Sequence, residues 1–273
     1  MCILFLFFDP HNIYGRFKFV LASNRDEIYS RESIPAKFWN SNGHDVLSGL
    51  DVKSGGTWLG INTNGKFSVV TNYLQPYEDP NFISRGKLVS DYLTSNISAH
   101  EYLCYLSERG HLYNGFNLLT ASFSNESDEL YYYSNRSCMV PERLETGIYG
   151  LSNSLLDISW PKVCVGKRLF TDIIYTHKND LNQELLTTEL LEMLNDTSQL
   201  PIDPRIEEQG QDFVRPMIKE FSSICVRANG YGTKTNTIVI IDNNYRVNFI
   251  EKTVTGSDTK ETEISKYTFN LSS

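Results

Sequence analysis

No apolar run in this chain approaches the roughly 20 residues that a membrane-spanning helix needs. The first such run, Cys2 to Phe8, stops at Asp9-Pro10 and lacks the basic leader of a secretory signal. The chain is therefore expected to be cytoplasmic, with no integral membrane segment, and not secreted. Cysteine is sparse: five in 273 residues (Cys2, Cys104, Cys138, Cys164, Cys225), scattered and without a CxxC pair. That argues against a disulfide framework and a structural zinc site, and fits reduced thiols. Basic charge is also short, with 25 Lys and Arg against 33 Asp and Glu, a net charge of −8. A phosphate-backbone binder would carry a basic face, so nucleic acid is not an expected partner. Gly55-Gly56 is too short and too poor in lysine for a phosphate loop. No internal repeat of roughly 20–50 residues is visible, which argues against solenoids and propellers.

What remains is the composition of a globular protein, 40% hydrophobic, 21% charged and 12% aromatic, read as a single domain over residues 1–273. Two apolar extended runs, residues 2–8 and 17–23, flank a turn at Asp9 to Gly15. Centred near residue 12, that turn sets Cys2 opposite Ser23. Tyr29 to Ala36 reads as irregular and Asn40 to Asp45 as a polar loop. Asn64-Gly65 between 58–62 and 66–72 is a hairpin signal. Helical spacing marks 85–93 and 98–109, and strands are expected at 113–122, 129–134 and 147–151. A helix capped by Ser154 or Asp157 and a second over Asn182 to Asn195 follow. Residues 200–215 read as a surface loop, before strands at 234–242, 246–253 and 263–271. Because 3–8 and 237–241 lack a polar face, those strands must be covered on both sides. The fold class expected is α+β, a four-layer αββα sandwich of two stacked antiparallel sheets.

The candidate site is Asn24-Arg25-Asp26-Glu27, which the hairpin returns to Cys2. A thiol beside a guanidinium is more readily a thiolate, and removal of Met1 would give Cys2 a free amine able to act as its base. The structural alternative makes Cys2 a buried small hydrophobe and Arg25-Asp26 an ion pair. Asn72 ends a strand where site residues are displayed, or caps a turn. Asn153 could donate to an oxyanion, or cap a helix. If the cluster forms, Arg25→Ala is expected to change ligand handling more than stability.

Met1-Cys2, Asn24-Arg25-Asp26-Glu27, Gly55-Gly56-Thr57-Trp58-Leu59-Gly60, Thr71-Asn72-Tyr73, Tyr113-Asn114-Gly115-Phe116-Asn117, Gly150-Leu151-Ser152-Asn153 and Gly230-Tyr231-Gly232-Thr233, in this order, resemble the Transport and Golgi Organisation 2 (NRDE) family. The resemblance implies an N-terminal-nucleophile hydrolase-like fold. It also implies an intracellular protein of cytoplasm, mitochondria, Golgi and ER or haem-storage organelles, linked to haem mobilisation and lipid homeostasis. Wider relatives of that fold include cysteine amidases, whose terminal Cys, Arg, Asp and oxyanion Asn would correspond to Cys2, Arg25, Asp26 and Asn153. Here Arg25 and Asp26 are adjacent and Lys234 stands where a late arginine is sought, which departs from the amidase pattern.

The leading reading is a haem-trafficking factor that needs no cofactor of its own, carries haem or another hydrophobic small molecule, and delivers it to accepting proteins. Its ligand-binding residues would be Cys2, Asn24, Arg25, Asp26, Glu27, Asn72 and Asn153. A haem carrier needs an apolar slot and usually an axial ligand; His11, His44, His100, His111 and His177 qualify by type, and none is singled out. An N-terminal cysteine amidohydrolase and a secretory-pathway adaptor are the alternatives.

Overall fold

Strand β1 (Ile3–Phe8) has no polar face, and the fold covers both of its sides. The computed structural model describes residues 1–137, 140–180, 183–255 and 261–272. After β1 come β2 (Phe17–Ile28), β3 (Ser33–Ser41), β4 (His44–Asp51), β5 (Leu59–Asn62), β6 (Lys66–Asn72), α1 (Gly86–Leu93), α2 (Ala99–Ser107), β7 (Phe116–Ser122), β8 (Glu129–Ser134), β9 (Glu142–Arg143) and β10 (Gly147–Leu151). The chain continues with α3 (Pro161–His177), α4 (Glu184–Leu194), α5 (Pro204–Gly210), β11 (Arg227–Ala228), β12 (Tyr231–Asp242), β13 (Arg246–Val254) and β14 (Thr262–Asn270). One antiparallel sheet has the order β10-β1-β2-β12-β13-β14, with β11 beside β12; the other runs from β3 to β9 in sequence order.

Alternation along β1 sorts its side chains between two cores. Ile3, Phe5 and Phe7 pack with Trp160, just before α3, and with Phe170, Leu186 and Leu190 of α3 and α4. Leu4, Leu6 and Phe8 meet Leu59, Ile61, Phe67 and Leu119 of the facing sheet. On the far side of that second sheet, Leu88, Val89 and Tyr92 of α1 and Leu103 of α2 cover Leu118 and Tyr131. The order is helices, sheet, sheet, helices: the α+β sandwich of two stacked antiparallel sheets.

Several local expectations change. Leu4, not Cys2, pairs with Ser23, and Ile3 pairs with Asn24; the wider turn, with Asn12 at φ 55°, carries Cys2 along to Arg25 and Asp26. Residues 33–51 form the β3–β4 hairpin instead of an irregular stretch and loop. The overlooked signal is Asn42-Gly43, whose φ of 53° and 81° suit a two-residue turn. Trp160, not Ser154 or Asp157, caps α3, because Asp157 is engaged by the Gly150 N–H and Lys167. The loop at 200–215 contains α5, started by the Asp203 cap and Pro204. Asn182, the expected start of α4, and Cys138 lie outside the described residues.

Glu251 joins the two sheets. It is 1% exposed, accepts the Ala36 N–H of β3 at 2.7 Å and takes hydroxyl donors from Thr253 and Thr237. Burial pushes its carboxyl from 4.5 up to about 7. The folded chain therefore holds a proton that the unfolded chain releases above 4.5, and this contribution to stability is lost as pH rises through about 7. Glu251→Gln should raise stability at pH 8 by on the order of 2–3 kcal/mol and flatten the decline between pH 5 and 8. Urea unfolding at several pH values checks this; equal slopes for the two proteins would sink it.

Candidate functional site

Pairing of β1 with β2 and of β2 with β12 brings the beginning of the chain, the Asn24–Glu27 quartet and Tyr231–Thr233 to one end of the first sheet. Side-chain alternation then separates the quartet. Arg25 and Glu27 face the second sheet, whereas Asn24 and Asp26 face the helical layer. Cys2 is half-buried; its Sγ accepts the Asp26 N–H at 3.4 Å and lies 3.8 Å from the Asp26 carbonyl. Burial, then the Asp26 carboxylate, pushes this thiol above its ordinary range.

Asp26 is 5% exposed and fully engaged. Its Oδ1 accepts from Thr233 Oγ1 at 2.6 Å, and its Oδ2 lies 3.0 Å from the Met1 amine. That amine donates to the Tyr231 hydroxyl at 2.9 Å. Its pKa is lowered, chiefly by burial. Arg25 belongs to a different group. It stacks on Trp58, 4.3 Å from the ring centroid, and donates to Asp51 Oδ2 at 3.0 Å. Arg31 meets the same oxygen at 2.8 Å, and Glu27 lies 3.7 Å from Arg25 and 3.6 Å from Arg31. Two guanidinium groups and two carboxylates thus balance one another. The guanidinium expected to draw a proton from Cys2 is already matched by Asp51 and Glu27, which is why burial governs the thiol.

Between these groups and the 78–86 segment is a cavity of about 400 Å³, open to solvent. Cys2, Arg25, Asp26, Glu27, Arg31, Asp51 and Lys53 line one side; Trp58, Val70, Asn72, Phe82, Ile83 and Arg85 line the other. The Gly55-Gly56 signal is explained by close approach, since a Cβ on Gly56 would stand 2.5 Å from the Gly86 carbonyl carbon. The seven motifs noted in the sequence all contribute to this end of the sandwich or to the strands beneath it, and a family model described as Transport and Golgi organisation 2 matches residues 1–256. The chain belongs to that family.

A Mus musculus relative named "Transport and Golgi organization 2 homolog" is 46% identical over 279 residues, covering 100% of both chains. The Drosophila melanogaster "Transport and Golgi organization protein 2" is 29% identical, covering 94% of each. Among solved structures, a Caenorhabditis elegans N-acylethanolamine-hydrolyzing acid amidase ortholog matches with a TM-score of 0.50 at 12% identity, covering 88% of this chain and 92% of that one. This likeness shows the fold, which is N-terminal-nucleophile hydrolase-like.

Within this family framework, the expected site residues divide. Cys2, Arg25, Asp26, Glu27 and Asn72 reach the cavity. Asn24 does not: it is fully buried and donates to the carbonyls of Leu194 and Ile224. Nor is Asn153 on the cavity wall; its amide donates to the Asn72 carbonyl at 2.6 Å. Lys234, in the late-arginine position, donates to the carbonyls of Tyr29 and Arg31. None of the five histidines lines the cavity. His177, for example, is held between Asp180 and Glu189.

Sequence reasoning missed Arg31 and Asp51 as site residues. Arg31 and Asp51 flank the motifs without belonging to them, and their role follows from the β3–β4 hairpin, which sets Asp51 opposite Ser33 and so beside Arg31. No helix among the described residues is long and apolar enough to cross a membrane.

Proposed function

We propose that this chain is a non-catalytic carrier of a small amphipathic molecule, with haem as the first cargo to test and a haem-accepting protein as its partner. The observation that supports carriage over turnover is the setting of Cys2. Its Sγ contacts the Asp26 backbone and, among the described residues, has no side-chain base in hydrogen-bond reach. The cavity suits a ligand with a polar edge and an apolar body. Arg25 Nη1 is buried without an acceptor, Lys53 stands at the rim, and Trp58, Val70, Phe82 and Ile83 supply apolar surface. Haem offers two carboxylates for the cations and an iron that a cysteine sulfur can ligate. The family's name connects its members with transport and Golgi organisation.

A second reading, an N-terminal cysteine amidohydrolase, is favoured by one observation: the amine of Met1, the residue before Cys2, is held by Asp26 and Tyr231. The fold neighbour is named as an amidase. One comparison separates the readings. Haem is titrated into reduced wild-type protein and Cys2→Ala while the Soret band is followed, and acyl amides are screened for hydrolysis by both. Saturable haem binding, weakened at least roughly tenfold by Cys2→Ala (about 1.4 kcal/mol), with no Cys2-dependent hydrolysis, supports the carrier. Hydrolysis abolished by Cys2→Ala establishes the amidohydrolase instead. If both activities are absent, weight moves to an adaptor role.

A further inference from the structure

Helix α3 begins with Pro161, and its second residue, Lys162, is 1% exposed. A cation in the first helical turn opposes the helix dipole, and a fully buried ammonium pays a desolvation cost that an apolar side chain of similar length avoids. Neither helix formation nor packing explains the lysine. The contact made by its Nζ is a long one, 3.5 Å to the Met1 carbonyl.

The groups around Cys2 supply an explanation. Lys162 from α3 and the Met1 amine bring two positive charges to this buried corner, and Asp26 of β2 brings one negative charge. Tyr231 of β12 is neutral, its hydroxyl pushed well above the ordinary value by burial. On the opposite face Arg25, Arg31, Asp51 and Glu27 balance among themselves, with Lys234 tied to backbone carbonyls. With both cations protonated, this corner carries one more positive than negative charge, and the Cys2 thiol, whose Sγ rests on the Asp26 backbone, is a titratable group there that can offset it.

We propose that Lys162 is a positioning residue of the site, which stabilises negative charge on Cys2 Sγ by completing a two-cation, one-anion cluster around it. Supporting this placement, burial lowers the Lys162 pKa to about 8, while Asp26 and Cys2 act in the opposite direction. The proposal goes beyond the carrier reading, because thiol reactivity can be read without any ligand.

Iodoacetamide alkylation of Cys2, quantified on the Cys2 peptide by mass spectrometry across pH 6 to 10, tests it in wild type, Lys162→Met and Lys162→Arg. The step forms an S–C bond and expels iodide, with the thiol proton lost to buffer. At pH 7.5 Lys162→Met should slow alkylation roughly fivefold or more, while Lys162→Arg stays within about twofold of wild type. Thermal unfolding should show Lys162→Met at least as stable as wild type, since the buried charge is gone. An unchanged rate in folded Lys162→Met, or equal losses in both variants, overturns the proposal. Should Lys162→Met fail to fold, Lys162→Gln takes its place, with the same expected slowing and the same overturning result.

Discussion

Arg25→Ala is expected to cost about 3 kcal/mol of folding stability, a fall in the unfolding midpoint of roughly 6–12 °C for a chain of this size. The guanidinium is 7% exposed, so its truncation removes a buried partner of Asp51 and the stacking on Trp58. It also leaves Asp51 and Glu27 to share Arg31. Loss of ligand binding will accompany the loss of stability, and the two cannot be separated with this substitution. That reverses the expectation for an arginine that serves only a ligand. Arg25→Lys keeps the charge but not the planar stack or the fixed fork of donors, and should fall between the two. Urea unfolding of the three proteins measures the series; a cost below about 1 kcal/mol for Arg25→Ala would show a solvated ion pair of the surface kind.

The layers were legible because β1 and residues 238–241 of β12 have no polar residues to turn outward, and such strands must be covered on both faces. The β5–β6 hairpin was legible through Asn64-Gly65. The β3–β4 hairpin carried the same signal at Asn42-Gly43, but its strands alternate polar and apolar residues irregularly and so read as loop. At the site, sequence placed Cys2 near the quartet, but ended the strand at Ser23; with the quartet inside β2, alternation divides it. A hairpin shifted by two residues keeps every side chain on its face, so the register error did not spoil the cluster. Which neighbour each charge meets depends on β4, β12 and α3, all distant in sequence. Asp51, Thr233 and Lys162 had to be found in three dimensions.

Asn24, the first residue of the quartet, is where this division has its largest expected effect on folding. Its amide donates to the carbonyls of Leu194 at 2.8 Å and Ile224 at 3.0 Å, and its Oδ1 accepts from Asn236 at 2.7 Å. Leu194 is the last residue of α4, so one of these bonds satisfies a carbonyl that the helix leaves without a partner. Asn24→Ala leaves two buried acceptors and one buried donor unpaired, each at about 1–3 kcal/mol, a total on the order of 3–9 kcal/mol. Asn24→Asp tests the chemistry behind that figure, because it keeps the shape and the acceptor for Asn236 but turns a donor into a carboxylate facing two carbonyl oxygens. It should be no more stable than Asn24→Ala. Glu27→Gln, three residues further on but partly exposed, should change stability by less than about 1 kcal/mol. Equilibrium unfolding of the three variants gives the comparison, and a cost below about 1 kcal/mol for Asn24→Ala would mean that water replaces the amide and that Asn24 is free to serve a ligand after all.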